Sequence, residues 1–174
     1  MHSMNTRTSI RAIVSMGPLL AICGYAAAAD TPRALPLDKA ITVAQTALEQ
    51  CKANGYNVTV MVMDTDYSAR LVLRSDAAAA RTVEIARRKA YTVIKTGMSS
   101  GEFGKSVPAP ATPPAPRPAG AMPPGVNGDD NLITLAGGKQ IVVGGEVVGA
   151  ISVSGAPGGD KDEACVDVGL AKLK

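Results

Sequence analysis

A cluster of prolines divides this chain into two parts. Eight of its twelve prolines fall between Pro108 and Pro124. Because proline lacks a backbone N–H, neither a helix nor a central strand can run through this stretch. We therefore expect residues 101–131 to form one long extended loop. A loop of this length inside a domain is typical either of a functional lid or of a disordered segment.

Before the prolines, the pattern of apolar residues predicts a helix, two strands and a second helix. Residues 36–54 carry apolar side chains at alternating spacings of four and three, which places them on one helical stripe. Residues 57–64 are apolar on both faces, as in a central strand, and residues 69–74 follow a turn as its hairpin partner. Residues 77–98 carry the strongest helical pattern.

After the prolines, three short strands are predicted at residues 132–135, 139–143 and 147–153. Gly144-Gly145 lies between two apolar runs and predicts a tight hairpin turn. Together the elements predict an α/β (α+β) fold, in which helices pack on a single antiparallel five-stranded sheet. Residues 30–174 are long enough to form this as one domain.

A last helix is predicted to begin with a capping box, in which Asp160 is the cap and Glu163 stands three residues later. The preceding residues 155–159 are rich in glycine, and their free N–H groups could also cradle an anion. The acidic residues at this helix start would repel a phosphate, so the sequence favours the capped start.

The first 29 residues have the pattern of an export signal. Arg7 and Arg11 precede an uncharged stretch, and Ala27-Ala28-Ala29 then form a small-residue cleavage site ahead of Asp30. The alternatives are a permanent membrane anchor and lipidation at Cys23. We expect a cleaved signal peptide, no permanent anchor, and a protein that is periplasmic or secreted.

The composition excludes several classes of function. Removal of residues 1–29 takes away Arg7 and Arg11 and no acid, so the net charge falls from +3 to +1. With that charge and only five aromatic residues, the chain lacks the features of a nucleic-acid-binding protein. Its one histidine, His2, lies in the signal segment, which excludes Ser-His-Asp catalysis and histidine-dependent metal sites in the mature protein.

Two cysteines remain after cleavage, Cys51 and Cys165, and both fall in predicted helices. In an exported protein they could form a disulfide. They could equally be two small buried apolar side chains, and the sequence slightly favours this second interpretation.

The order and spacing of several short motifs resemble the haem-binding GlcG/HbpS-like family, which is related to the C-terminal domain of PduO-type proteins. The resemblance covers residues 35–174 and implies an α/β sandwich that assembles into homo-oligomers. Some members bind haem, and a few are linked to its degradation. The motifs are Val62-Met63-Asp64, Arg74-Ser75-Asp76-Ala77, Lys89-Ala90-Tyr91-Thr92, Gly137-Gly138, residues 145–155 and Asp162-Glu163-Ala164-Cys165.

Within this resemblance, Arg74, Asp76 and Lys89 are the candidate polar residues of a ligand pocket. Arg74 and Lys89 would hold carboxylates such as haem propionates, and Asp76 would orient Arg74. The alternative is a structural ion pair that joins strand to helix.

The remaining candidate cofactor-binding residues are Tyr91, Thr92, Met98 and Phe103. Phe103 or the proline-rich loop would cover the macrocycle. Some relatives use a histidine on haem iron and this mature chain has none, so the metal ligand stays unassigned. The sequence leaves Tyr67, Tyr91, Met98, Met122, Thr92 and the two cysteines open as candidates.

Three hypotheses of function follow. The first is an exported protein that binds haem or a similar small anionic tetrapyrrole. The second is an enzyme on the same scaffold that degrades haem or converts a small carboxylate. The third is a structural oligomer or partner-binding module that makes its contacts through the proline-rich loop. No catalytic residue is assigned from the sequence.

Overall fold

An antiparallel sheet of four strands lies at the centre of the computed structural model. The strands are β1 (Thr59–Asp64), β2 (Ala69–Arg74), β3 (Gly138–Val143) and β4 (Glu146–Ser154). Their order in the sheet is β2-β1-β4-β3, so two hairpins are joined by the pairing of β1 with β4. The structure describes residues 34–109, 115–116, 118 and 120–173, all within the unit 32–174.

Helices cover both faces of this sheet. On one face, α1 (Leu37–Ala53) and α4 (Gly159–Leu170) pack on Val60 and Val62 of β1. On the other, α2 (Arg81–Thr96) packs on Met61 and Met63. Because β1 is buried on both faces, it occupies the centre, and its prediction as a central strand is confirmed. A short helix, α3 (Ser100–Ser106), follows α2, and a 3-10 turn, Ala171–Leu173, follows α4.

The predicted strand at residues 132–135 does not form, so the prediction of five strands is wrong and the α+β class is right. The backbone N–H of Ile133 donates to Thr92 Oγ1 at 3.1 Å instead of pairing with a strand. This hydrogen bond ties the segment to α2 rather than to the sheet.

The predicted loop 101–131 is also wrong at its start, since α3 occupies its first residues. Ser99 and Glu102 form a capping box, in which Ser99 Oγ accepts from the Glu102 N–H at 3.1 Å and the Ser99 N–H donates to Glu102 Oε2 at 3.0 Å. Phe103 is buried beneath this helix. The pattern Ser-x-x-Glu was the sequence signal for it.

The start of α4 differs from its prediction as well. The helix begins at Gly159, and Gly158 stands at its N-cap with a φ of +134° and no side-chain cap. Asp160 is therefore not the cap, and the predicted capping box is wrong. Glycine suits this N-cap because its φ lies in the region that L side chains avoid.

Cys51 and Cys165 form a disulfide that joins α1 to α4, with Cα atoms 5.6 Å apart. Both side chains are fully buried. Of the two interpretations that the sequence left open, the structure selects the one it slightly disfavoured. The two cysteines are 114 residues apart in the sequence, and only the fold brings them together.

The predicted turn at Gly144-Gly145 is confirmed, with φ of +62° and +86° at its two glycines. No helix among the described residues is both long and apolar enough to cross a bilayer. The predicted signal peptide, residues 1–29, and residues 110–114, 117 and 119 of the proline-rich segment lie outside the described residues.

Candidate functional site

A cleft of about 890 Å³ opens at the end of the sheet where β1 begins and β2 and β4 end. We call it the Lys89 cleft, after the lysine in its wall. Its volume lies within the range of small-molecule sites. Four stretches of chain contribute to the lining: residues 55–57, parts of 77–89, residues 134–136 and parts of 154–162.

Lys89 and Asp162 form a buried ion pair in this wall. Lys89 is 2% exposed, and its Nζ donates to Asp162 Oδ2 at 2.7 Å and to the carbonyl oxygen of Val153 at 2.8 Å. The second carboxylate oxygen of Asp162 accepts the N–H of Ala156 at 2.9 Å. One carboxylate therefore positions both the lysine and the glycine-rich segment that follows β4.

The space for this ammonium depends on Gly137. A Cβ added at this position would stand 2.8 Å from Lys89 Nζ and 2.7 Å from Asp162 Cβ, and the φ of Gly137 is +117°. Glycine alone combines that backbone conformation with the close approach. The Gly137-Gly138 motif thus has a structural reason at its first residue.

The charge state of the pair reflects two opposing effects. Burial lowers the pKa of Lys89 and raises the pKa of Asp162, because each charged form loses water. The attraction between the two charges opposes both shifts. The positive and negative charges cancel locally, so this part of the cleft carries little net charge.

Arg74 and Asp76 do not join Lys89 in the cleft. Arg74 Nε and Nη2 donate to the carbonyl oxygen of Ala78 at 3.0 and 2.6 Å, which closes the turn after β2. The prediction that Asp76 orients Arg74 is therefore wrong, and so is the shared mouth of Arg74 and Lys89. The ion pair that Lys89 makes connects α2 to α4, not a strand to a helix.

Tyr91 and Thr92 hold another part of the chain against α2. Tyr91 donates its hydroxyl hydrogen to Asp129 Oδ2 at 3.0 Å, and its ring centroid lies 5.0 Å from that of Tyr67. Thr92 Oγ1 donates to the carbonyl oxygen of Arg88 at 2.8 Å while it accepts from Ile133. Both side chains connect α2 to the segment that follows the prolines.

Met98 is half-buried between α2 and α3, and Phe103 is buried in α3. Neither residue, nor Tyr91 or Thr92, is part of the lining of the Lys89 cleft. Of the seven candidate cofactor-binding residues, the cleft contains Lys89 alone.

Two lining residues with polar groups that could bind a ligand, Tyr56 and Arg81, were not predicted from the sequence. Tyr56 follows Gly55, three residues after α1 ends at Ala53, and Arg81 is the first residue of α2. A cation at a helix N-terminus opposes the helix dipole, so helix stability does not explain Arg81. In the helix predicted over residues 77–98, Arg81 lies beyond the first turn, so no local sequence pattern marked either Arg81 or Tyr56.

A second cleft of about 830 Å³ lies on the other side of Thr134 and Ala136, which line both clefts. One of its two lysines, Lys139, forms ion pairs with Glu163 at 3.1 Å and with Asp167 at 2.7 Å. Within the described part of the chain, no group of three or more His, Cys, Asp and Glu side chains could hold a metal ion.

Comparisons with known proteins give one family. The family model described as "Haem degrading protein HbpS-like" matches residues 35–171. A crystal structure of HbpS is 27% identical, with a TM-score of 0.65 over 83% of this chain and 93% of that chain. A double mutant of HbpS from Streptomyces reticuli is 26% identical, with a TM-score of 0.66 over 92% of this chain and 99% of that chain.

A crystal structure of PduOC in complex with heme shares the fold at 19% identity. Its TM-score is 0.66 over 82% of this chain and 96% of that chain. Among curated proteins, none matches this chain.

Proposed function

Since the chain belongs to the HbpS-like family, whose model matches residues 35–171, we propose that it binds haem or a similar flat anionic tetrapyrrole in the Lys89 cleft. Family membership is the observation that carries this proposal. PduOC, whose crystal structure is a complex with heme, has the same fold, which adds support.

The residues of the cleft fit such a ligand. Ile85, Leu135 and Pro157 provide apolar surface for the faces of a macrocycle. Arg81 is exposed at the rim, and a guanidinium there can bind a carboxylate through two parallel hydrogen bonds. The volume of about 890 Å³ leaves room for a ligand of this size.

Lys89 has a more limited role than a free cation. An ammonium has three N–H donors, and the bonds to Asp162 and Val153 use two of them. Lys89 is also only 2% exposed, so it supports the wall of the cleft, while Arg81 provides the accessible positive charge at the rim. Haem, when bound, supplies an iron centre for ligand or redox chemistry.

A hemin titration of the mature protein tests this proposal. We expect a saturable shift of the Soret band at one hemin per subunit. Arg81→Glu should weaken binding by about tenfold or more, because it replaces an attractive charge with a repulsive one. Lys52→Glu, on the exposed end of α1, is the matched control and should bind as the parent does.

A Soret shift no larger than that of an unrelated protein would contradict the proposal. Equal affinity of Arg81→Glu and Lys52→Glu would place the ligand elsewhere. Hemin with both carboxylates esterified should bind the parent more weakly and should no longer distinguish the two variants. Product formation from hemin with a reductant and oxygen would indicate an enzyme instead of a binding protein.

We also propose that the protein is exported and acts outside the cytoplasm. The charge pattern of residues 1–29 supports this, as does the Cys51–Cys165 disulfide, since disulfides persist in oxidising compartments. Mass spectrometry of protein from the periplasm or medium should give a mature chain that begins at Asp30. An intact N-terminus on all of the protein would contradict export by cleavage.

A further inference from the structure

The lining of the Lys89 cleft holds one side chain of a type that commonly ligates haem iron. Proteins hold this iron through histidine, cysteine, methionine or tyrosine. Of these four types, the described lining contains only tyrosine, as Tyr56. Resting on the proposed function, we infer that Tyr56 would hold the iron when ferric haem occupies this cleft.

Other side chains whose atoms could bind haem iron make contacts away from this cleft. The sulfur atoms of Cys51 and Cys165 are bonded to each other and fully buried. The hydroxyl group of Tyr91 is hydrogen-bonded to Asp129, and the ring of Tyr67 packs on that of Tyr91. The amino group of Lys89, which also lines the cleft, is held in its ion pair with Asp162.

The backbone and ring of Tyr56 are both held by the surrounding structure. Its N–H donates to the carbonyl oxygen of Cys51 at 2.9 Å, which ties it to the end of α1. Its ring packs partly against the apolar cluster beneath α1 and α4. The ammonium of Lys161, in the first turn of α4, lies 5.8 Å from the ring centroid. A ligand residue requires this kind of support, because its position must be defined before the ligand arrives.

Ligation requires little from the rest of the protein. If ferric haem occupied the cleft, the Tyr56 oxygen would hold the iron through an electron pair, and the phenol proton would pass to water. The exchange conserves charge, and it needs neither oxidant nor reductant. A phenolate ligand matches the trivalent iron, and it accounts for a haem site in a mature chain without imidazole.

Spectroscopy of the ferric hemin complex tests the assignment. The parent should show a phenolate-to-iron charge-transfer band in absorption and phenolate ring modes in resonance Raman spectra. Tyr56→Phe should lose both signatures while hemin still binds through its carboxylates, with an affinity lower by about tenfold. Tyr67→Phe and Tyr91→Phe are matched controls and should keep both signatures. Circular dichroism and thermal melting verify that each variant is folded.

The possible failures are distinguishable. If the parent binds hemin without phenolate signatures, or if Tyr56→Phe retains them, the assignment of Tyr56 is overturned and the proposed function stands. If the phenolate signature is lost in Tyr91→Phe instead, the ligand and its site lie on the exposed side of α2. If the parent binds no hemin, the assignment and the proposed function both fail.

Discussion

Lys89 illustrates what one buried charge requires of its neighbours. Removal of an ammonium from water is costly, and the cost is offset by a carboxylate and a carbonyl oxygen within 2.8 Å. Asp162 is itself only 3% exposed, so neither member of the pair can turn to solvent. Loss of one partner would leave the other charge buried and unpaired.

We expect Asp162→Asn to lower the free energy of unfolding by about 3–5 kcal/mol, because it leaves the Lys89 ammonium without its counter-charge. Urea unfolding provides the measurement. Asp160→Asn, at an exposed position of the same helix turn, should change stability by no more than about 0.5 kcal/mol. The double variant Lys89→Met/Asp162→Leu should recover most of the loss, because no charge remains buried. Equal stabilities of the two Asp→Asn variants would contradict this account.

The carboxylate of Asp129 makes a contribution to the stability of the folded state that depends on pH. Its carboxylate accepts the Asn131 N–H at 2.8 Å and the Tyr91 hydroxyl, and the backbone hydrogen bond is the main cause of a lowered pKa. A carboxyl group whose pKa is lower in the folded state stabilises the protein above its unfolded pKa of about 4, and this contribution is lost as the pH falls.

The melting temperature of the parent should therefore exceed that of Asp129→Asn at pH 7, and the difference should shrink between about pH 5 and pH 3. Thermal melts of both proteins across this range measure it. Asp130→Asn at the neighbouring exposed position controls for the change in net charge. A difference that stays constant over the whole range would show that the ionised carboxylate has no part in it.

Among the elements, residues 132–136, part of which was predicted as a fifth strand, form a packed connection that leads into β3. Glycines allow it to lie close to two helices. A Cβ on Gly104 of α3 would meet the carbonyl oxygen of Thr134, and a Cβ on Gly159 of α4 would stand 2.8 Å from that of Ala136. The segment separates the two clefts, so the same contacts shape the wall of the Lys89 cleft.

Gly104→Ala should lower the free energy of unfolding by about 1–3 kcal/mol, although alanine favours a helix more than glycine does. The reason is that the added methyl group meets backbone, which cannot move aside as a flexible side chain can. Lys105→Ala, at the next and exposed position, should stay within about 0.5 kcal/mol of the parent in urea unfolding. A Gly104→Ala variant as stable as Lys105→Ala would contradict this packing.

At the scale of the whole molecule, the disulfide connects the first helix of the domain to the last. Gly169 of α4 also packs closely on α1, where an added Cβ would stand 2.7 Å from the carbonyl oxygen of Val43. Asp162 lies one turn before Cys165 on α4, so this attachment also supports the wall of the cleft. Assembly into a homo-oligomer stays a prediction.

Reduction of the Cys51–Cys165 disulfide should lower the free energy of unfolding by about 2–4 kcal/mol, because the cross-link restricts the unfolded chain over 114 residues. Urea unfolding with and without a thiol reductant measures the effect. The variant Cys51→Val/Cys165→Val should be insensitive to the reductant. An unchanged midpoint for the parent, with free thiols confirmed after unfolding, would contradict a stabilising role.

Local chemistry predicted most of the fold. Apolar residues at helical spacing marked α1 and α2, and the doubly apolar run of β1 placed it at the centre. The wrong predictions concern segments whose structure depends on particular side-chain hydrogen bonds. Ser99 and Glu102 cap a helix that the nearby prolines obscured, and Ile133 bonds to a threonine on α2 rather than to a strand.

The family and the class of fold could be predicted from the sequence, because each depends on residue types in a fixed order. Only the folded chain reveals the partner of Lys89 and the pairing of the cysteines. The same is true of the presence of Tyr56 and Arg81 in one cleft. Lys89 and Asp162 are 73 positions apart, and no local pattern records which distant side chains share a buried space. Burial selects those partners, since a charge removed from water must find its counter-charge wherever the fold places one.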